Sequence, residues 1–214
     1  MADVPSRSTP PAASGDVPDA GEPGPLRERL VAVTLELIAR EGIESITLRR
    51  IARRAGVSHG APLRHFASLA DLLAEVAAHG FRTLGERIAK TATELPPDTP
   101  ALARLAAAGR AYVQAAVEQP DLFALMFRPD RLDTTNARFA HDSVEAFEQL
   151  AGHVRAAQAS GWHPDRDTLA LAAVAWTSMH GIASLWSQGA LQGAIPGATL
   201  DGILELGTAL TLAP

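Results

Sequence analysis

The chain has 214 residues, no cysteine and a formal net charge of −5, which leaves room for one or two domains and excludes both a disulfide framework and a cysteine-ligated zinc site. A negative balance also argues against a protein that coats nucleic acid indiscriminately. The average conceals a division, because residues 1–25 sum to −3, residues 26–88 to +3 and residues 89–214 to −5.

The opening stretch MADVPSRSTPPAASGDVPDAGEPGP holds six prolines and no apolar run of the signal-peptide kind. Residues 1–24 are expected to be a disordered arm. Arg7 is outnumbered there by Asp3, Asp16, Asp19 and Glu22, so the arm is a poor phosphate grip. From Pro25 onward apolar positions recur at helical spacing and nothing alternates like a half-buried strand, so the expected class is all-α with about nine helices. A first helix puts Leu26, Leu30, Val33 and Leu37 on one face and stops near Gly42. Thr47 is a natural N-cap for a second, with Leu48, Ile51, Ala52 and Ala55 inward, Arg49, Arg50, Arg53 and Arg54 outward, and Gly56 as its end.

A short third helix is expected from a Ser58 cap to Phe66. Pro62 would be its fourth residue, where the ring crowds the Ser58 carbonyl. A tight, 3₁₀-like first turn with Ala61 pushed out of helical geometry would relieve that conflict. Ser68 and Asp71 resemble a capping box opening a long fourth helix, whose apolar positions Leu69, Leu72, Leu73, Val76, Leu84 and Ile88 continue until ELPPDTP breaks the chain. The division between an N-terminal unit, 25–75, and a C-terminal unit, 76–214, falls inside that helix. Further helices are expected near 100–119, 120–127, 134–159, 166–192 and 199–211. No repeat recurs, which excludes a solenoid.

Helix, glycine-containing turn and short capped helix form the helix-turn-helix plan, whose second helix enters the DNA major groove. No acid stands between Glu44 and Asp71, while five arginines do, a pattern suited to a polyanion through counterion release. A solvated arginine-rich face is the plainer alternative. The expected DNA-binding residues are Thr47, Arg49, Arg53, Ser58, His59, Gly60, Ala61, Arg64 and His65. Arg49, His59 and Arg64 carry donors long enough for base edges, Gly60 and Ala61 permit close approach, and His65 is expected to pack or touch phosphate.

The stretch LRRIARRAGVSHGAPLRHFASLADLL resembles the N-terminal helix-turn-helix of the TetR (tetracycline-repressor) family of transcriptional regulators. Thr47, Ile51, Ala52, Ala55, Gly56, Val57, Ser58, Gly60, His65, Phe66 and Leu72 match its pattern in register. Leu63 stands where that family usually has Tyr, and Leu69 where it usually has Lys, two residues that commonly touch DNA phosphates. The resemblance implies a bacterial, cytoplasmic homodimer without cofactor, most simply a repressor that leaves a palindromic double-stranded operator when a small-molecule effector binds. The two leucines also motivate an alternative, a small-molecule binding protein of the same fold with weakened or lost DNA binding.

In the C-terminal half, AWTSMHGIASLWSQG carries Trp176, His180 and Gly181 in a W-x-x-x-H-G spacing that resembles the Trp-His-Gly signature of one TetR-like subgroup. Residues 168–200 contain no Asp, Glu, Lys or Arg, enough to raise a membrane span. A polar stripe of Thr177, Gly181, Ser184, Gln188 and Gln192 favours a helix buried inside protein instead. Ser184, Leu185, Gln188, Ile203, Leu206 and Leu210 are expected at a dimer interface. Tyr112, Phe123, Met126, Phe127, Phe147, Trp176, Met179 and His180 are the expected lining of a mostly apolar ligand pocket. His141, Glu145 and Glu148 have metal-like spacing, but a solvated helix face explains them as well and no metal is assigned. A hydrolase built on His180 lacks a nucleophile elbow, a paired-acid constellation and a phosphate loop.

Overall fold

The computed structural model describes residues 25–213, and the arm expected over 1–24 lies outside them. Among the described residues there are nine α-helices and no strand: α1 Pro25–Glu41, α2 Leu48–Arg54, α3 Leu69–Glu94, α4 Ala101–Glu118, α5 Pro120–Met126, α6 Ala137–Ala159, α7 Thr168–Ser187, α8 Ala190–Ala194 and α9 Leu200–Thr211. Single 3₁₀ turns stand at Ile43–Ser45 and Pro62–Arg64.

The punctuation expected from short-range chemistry is in place. The Thr47 side chain accepts the Arg50 N–H at 3.3 Å and starts α2. A Schellman motif ends it: Gly56, at φ 69°, donates to the Arg53 carbonyl, while Val57 donates to Ala52. Ser68 Oγ accepts the Asp71 N–H at 3.1 Å, and the Asp71 carboxylate reaches back to the Ala67 N–H at 2.9 Å.

Two expected helices are not as the periodicity suggested. Residues 58–66 form no α-helix, because Pro62 has no N–H to close an α-turn on Ser58. The Ser58 carbonyl takes the Ala61 N–H instead, Arg64 donates to Ala61, and His65 donates to Pro62, all with 3₁₀ spacing. Ser58 therefore contributes its carbonyl and not a hydroxyl cap. Ala61 itself is helical at φ −61°, ψ −41°, contrary to the displacement expected before proline. The single helix expected over 166–192 is two, broken where Gly189 adopts φ 74° and donates to the Trp186 carbonyl.

α3 is the axis of the molecule. Every residue from Leu72 to Ala78 is buried, and α1, α4, α5 and α6 all pack against α3. One continuous apolar cluster runs from Leu30, Ile51 and Phe66 through Leu72 and Val76 to Val113, Leu125 and Leu204. A second, around Leu105, Val154, Trp162 and Ala172, closes the far end of α4, α6 and α7. Arg104 ties down the prolines between α3 and α4, donating to the carbonyls of Ala92, Pro96, Pro97 and Thr99.

Candidate nucleic-acid and ligand sites

The arginine-rich surface divides by charge pairing. Arg50 is bound to Glu41 and the Ser45 carbonyl, and Arg54 pairs with Glu36 at 2.9 Å, so α1 neutralises both. Arg49, Arg53 and Arg64 are exposed and make no ion pair among the described residues. They share the surface with exposed Thr47, Ser58, His59 and Gly60. A Cβ on Gly60 would meet nothing within 4 Å, so this side of the turn is open. Ala61 departs from expectation: it is 9% exposed and packs inward beside buried Pro62. His65 is half-buried, while Leu63 stands 56% exposed.

The end of this reading segment is held by α1 and α3. Arg27 donates to the His65 carbonyl at 2.7 Å, lies 4.5 Å over the Phe66 ring and pairs with Glu75 at 2.6 Å. Glu75 is a buried carboxylate in the second turn of α3, also met by Asn136 at 3.2 Å and Arg138 at 3.5 Å. Asn136 is the N-cap of α6 and donates in addition to Asp71 at 2.8 Å. One polar relay thus joins the start of α6, the first two turns of α3 and the reading segment. Its members lie far apart in sequence, which is why local patterns did not reveal it.

Below the relay, α3, α4, α5, α6, α7 and α9 enclose a cavity of about 470 Å³. Six expected pocket residues line it: Tyr112, Met126, Phe127, Phe147, Trp176 and Met179. Phe123 does not; it lines a separate 50 Å³ crevice between α3, α4 and α5. His180 does not either, standing beside the cavity wall with a structural task. Trp176 Nε1 donates to the Tyr112 hydroxyl at 3.0 Å, and that hydroxyl lies 2.8 Å from His180 Nδ1. The hydroxyl thus bridges the indole and the imidazole, and the direction of its bond to Nδ1 follows the His180 tautomer. Burial keeps the His180 pKa below the usual histidine value and raises that of Tyr112, so all three groups are neutral around pH 7.

The element contributing most of the cavity lining missed from the sequence is α6, where Phe139, Ser143, Gln149, Leu150 and His153 accompany Phe147. Their 3/4 spacing was the available signal, but the neighbouring acids Glu145 and Glu148 gave the helix a solvated character. No group of three or more potential metal ligands is present among the described residues.

α7 is the one helix among the described residues long and apolar enough to cross a membrane. It is not a helix buried inside the chain, as its polar stripe had suggested. Ala172, Ala175, Met179 and Ala183 are buried, but only 22% of its most apolar window is. Leu185 on α7 and Leu206 and Leu210 on α9 are exposed at 46%, 62% and 72%, next to exposed Gln188 and half-buried Ser184 and Ile203.

An open cationic helix-turn-helix joined by one long helix to a helical bundle around an apolar cavity defines the architecture of a one-component regulator. Residues 30–76 match the family model described as bacterial regulatory proteins, tetR family, and residues 105–209 match that of the tetracyclin repressor-like C-terminal domain. The chain belongs to the TetR family of transcriptional regulators. It is similar to an uncharacterized HTH-type transcriptional regulator of Mycobacterium bovis, 36% identical over 74 residues, which is 35% of this chain and 38% of that protein. The match to the curated relatives thus spans well under half their length. Among solved structures, a protein of unknown function from Rhodococcus sp. RHA1 is 29% identical with a TM-score of 0.76, over 91% of this chain and 97% of that one. The fold is shared with the fatty acid degradation regulator FadR of Bacillus halodurans, at TM-score 0.69 and 14% identity over 89% and 96% of the two chains.

Proposed function

We propose that the chain is a cytoplasmic, homodimeric repressor that binds a palindromic operator through Arg49, Arg53, Arg64 and His59 and is released by a small molecule entering the apolar cavity. The observation that carries this reading is the selective pairing of the arginines: Glu41 and Glu36 of α1 pair with Arg50 and Arg54, while exposed Arg49, Arg53 and Arg64 make no ion pair among the described residues. Exposed, unpaired guanidinium groups on one face are what phosphate and guanine contacts require. α3 supplies the coupling, since Phe81, Leu84 and Ile88 line the cavity while Glu75 holds Arg27 against the reading segment. Ligand that displaces α3 or α6 changes the distance between the two reading heads, and a coupling of about 1–3 kcal/mol is enough for a useful response. The dimer face is assigned to Ser184, Leu185, Gln188, Ile203, Leu206 and Leu210, supported by the apolar exposure of α7 and α9. The Trp-His-Gly subgroup rests on Trp176, His180 and Gly181 alone.

Exposed Leu63 favours a second reading, a binding protein of this fold that has lost its DNA, because an aliphatic tip offers phosphate nothing. Selection of bound fragments from total genomic DNA separates the two. The regulator enriches an inverted repeat whose half-sites lie about one helical turn apart. Enrichment of no common sequence overturns the repressor and leaves the binding protein.

A further inference from the structure

We propose that the cavity selects an uncharged, elongated, mostly hydrocarbon ligand bearing one neutral hydrogen-bonding group, such as an alcohol, ester or amide, which Gln149 and His153 hold. This deepens, and rests on, the reading of the cavity as the effector site.

Three observations carry it. The first is that among the described residues no Asp, Glu, Lys or Arg lines the cavity. An ion taken up there would leave water without a counter-charge, which is far costlier than burying a neutral group. The second is shape: lining residues on α6 run from Phe139 to His153, about 20 Å along the helix at its standard rise. Among the lining residues Phe81, Phe127 and Phe139 form one aromatic cluster, with ring centroids 5.4 and 6.0 Å from Phe81, whereas Leu105 and Leu212 pack in a separate cluster with Val154, the chain neighbour of His153. An extended chain suits this volume better than a compact ring system.

The third observation is which polar groups remain available. Tyr112, Trp176 and His180 are hydrogen-bonded to one another, and Ser143 donates to the Ala140 carbonyl. Four polar side chains that line the cavity make no side-chain hydrogen bond among the described residues: Gln149 and His153, four residues apart on one face of α6, and the shorter hydroxyls of Thr208 and Thr211 on α9. Burial and the nearby Arg104 charge lower the His153 pKa, so its imidazole is neutral and offers one donor and one acceptor. Gln149 adds an amide of the same character. The pair can satisfy a hydroxyl, carbonyl or amide, and neither supplies the charge that a carboxylate or ammonium demands.

The test uses the purified full chain without DNA and three probes of equal chain length: decanol, decanoate and decylammonium. Binding is followed at neutral pH by calorimetry and by tryptophan fluorescence, to which cavity-lining Trp176 contributes. Decanol is expected to bind at least about tenfold more tightly than either ion. Gln149→Leu and His153→Leu, checked for folding by thermal melting, are each expected to weaken decanol by about tenfold, the loss of one hydrogen bond. Equal or tighter binding of either ion, or binding of none of the three, overturns the ligand class. Unchanged decanol affinity in both variants overturns the role of the pair. A chain that binds decanol but enriches no operator sinks the repressor and leaves this inference standing; one that binds its operator but none of the probes does the reverse.

Discussion

Leu63 stands 56% exposed between buried Pro62 and exposed Arg64, at the position whose Tyr commonly makes a phosphate contact in the TetR family, a contact that an aliphatic tip does not make. Restoring that contact with Leu63→Tyr is expected to tighten operator binding by about 0.5–1.5 kcal/mol, the net worth of one hydrogen bond. Unchanged or weaker affinity in an anisotropy titration would show that Leu63 points away from the backbone. The histidines make a different residue-level prediction. Burial lowers the pKa of His79, His153 and His180, so the unfolded chain takes up protons below about pH 6.5 while the folded chain resists them. Stability is therefore whole above that pH and falls as pH drops toward the folded values. The melting temperature is expected to be lower at about pH 5.5 than at about pH 7.5, before the carboxylates titrate; a flat or opposite trend would mean the three imidazoles are already solvated.

Among the elements, α3 carries the connection between sites, and Glu75 is its polar centre. Glu75→Ala removes the partner of Arg27, Asn136 and Arg138 at a position only 6% exposed. The expected cost is about 3–5 kcal/mol, because a partly buried Arg27 loses its counter-charge. Protease cleavage within residues 57–66 should rise in parallel, since Arg27 no longer clamps the His65 carbonyl; a variant as stable as the parent, with an equally protected segment, would remove Glu75 from the relay. The helix boundaries set by Thr47, Gly56 and Ser68 were legible in the sequence, because a cap or a left-handed glycine acts on partners a few residues away. Pro62 was legible as a conflict resolved by a 3₁₀-like turn, but local chemistry placed Ala61 outside helical geometry, where it does not lie. The Glu75 relay and the cavity-facing side of α6 were not legible, since α3 and α4, distant in sequence, choose which face of α6 is covered. His180 shows the same limit: its place beside Tyr112 depends on how α4 and α7 pack.

On the scale of the whole molecule, α7 and α9 leave Leu185, Leu206 and Leu210 facing outward. A second copy covering this face accounts for an apolar helix that the single chain only partly buries. Leu206→Glu combined with Leu210→Glu is expected to give a monomer by light scattering that retains its fold and loses operator binding, because two half-sites must be gripped together. A double variant that remains dimeric would place the interface elsewhere. The exposure of these residues and the reading surface at the other end of α3 meet in one claim: a dimer holds DNA through unpaired arginines on both copies. Its most direct measurement is operator affinity against salt concentration, for the parent chain and for Arg49→Ala with Arg64→Ala. With three free arginines per copy, the slope of log affinity on log salt is expected to be about −5, and shallower by about 3 to 4 in the double variant. A shallow slope in the parent chain, or one that the variant leaves unchanged, would contradict the account.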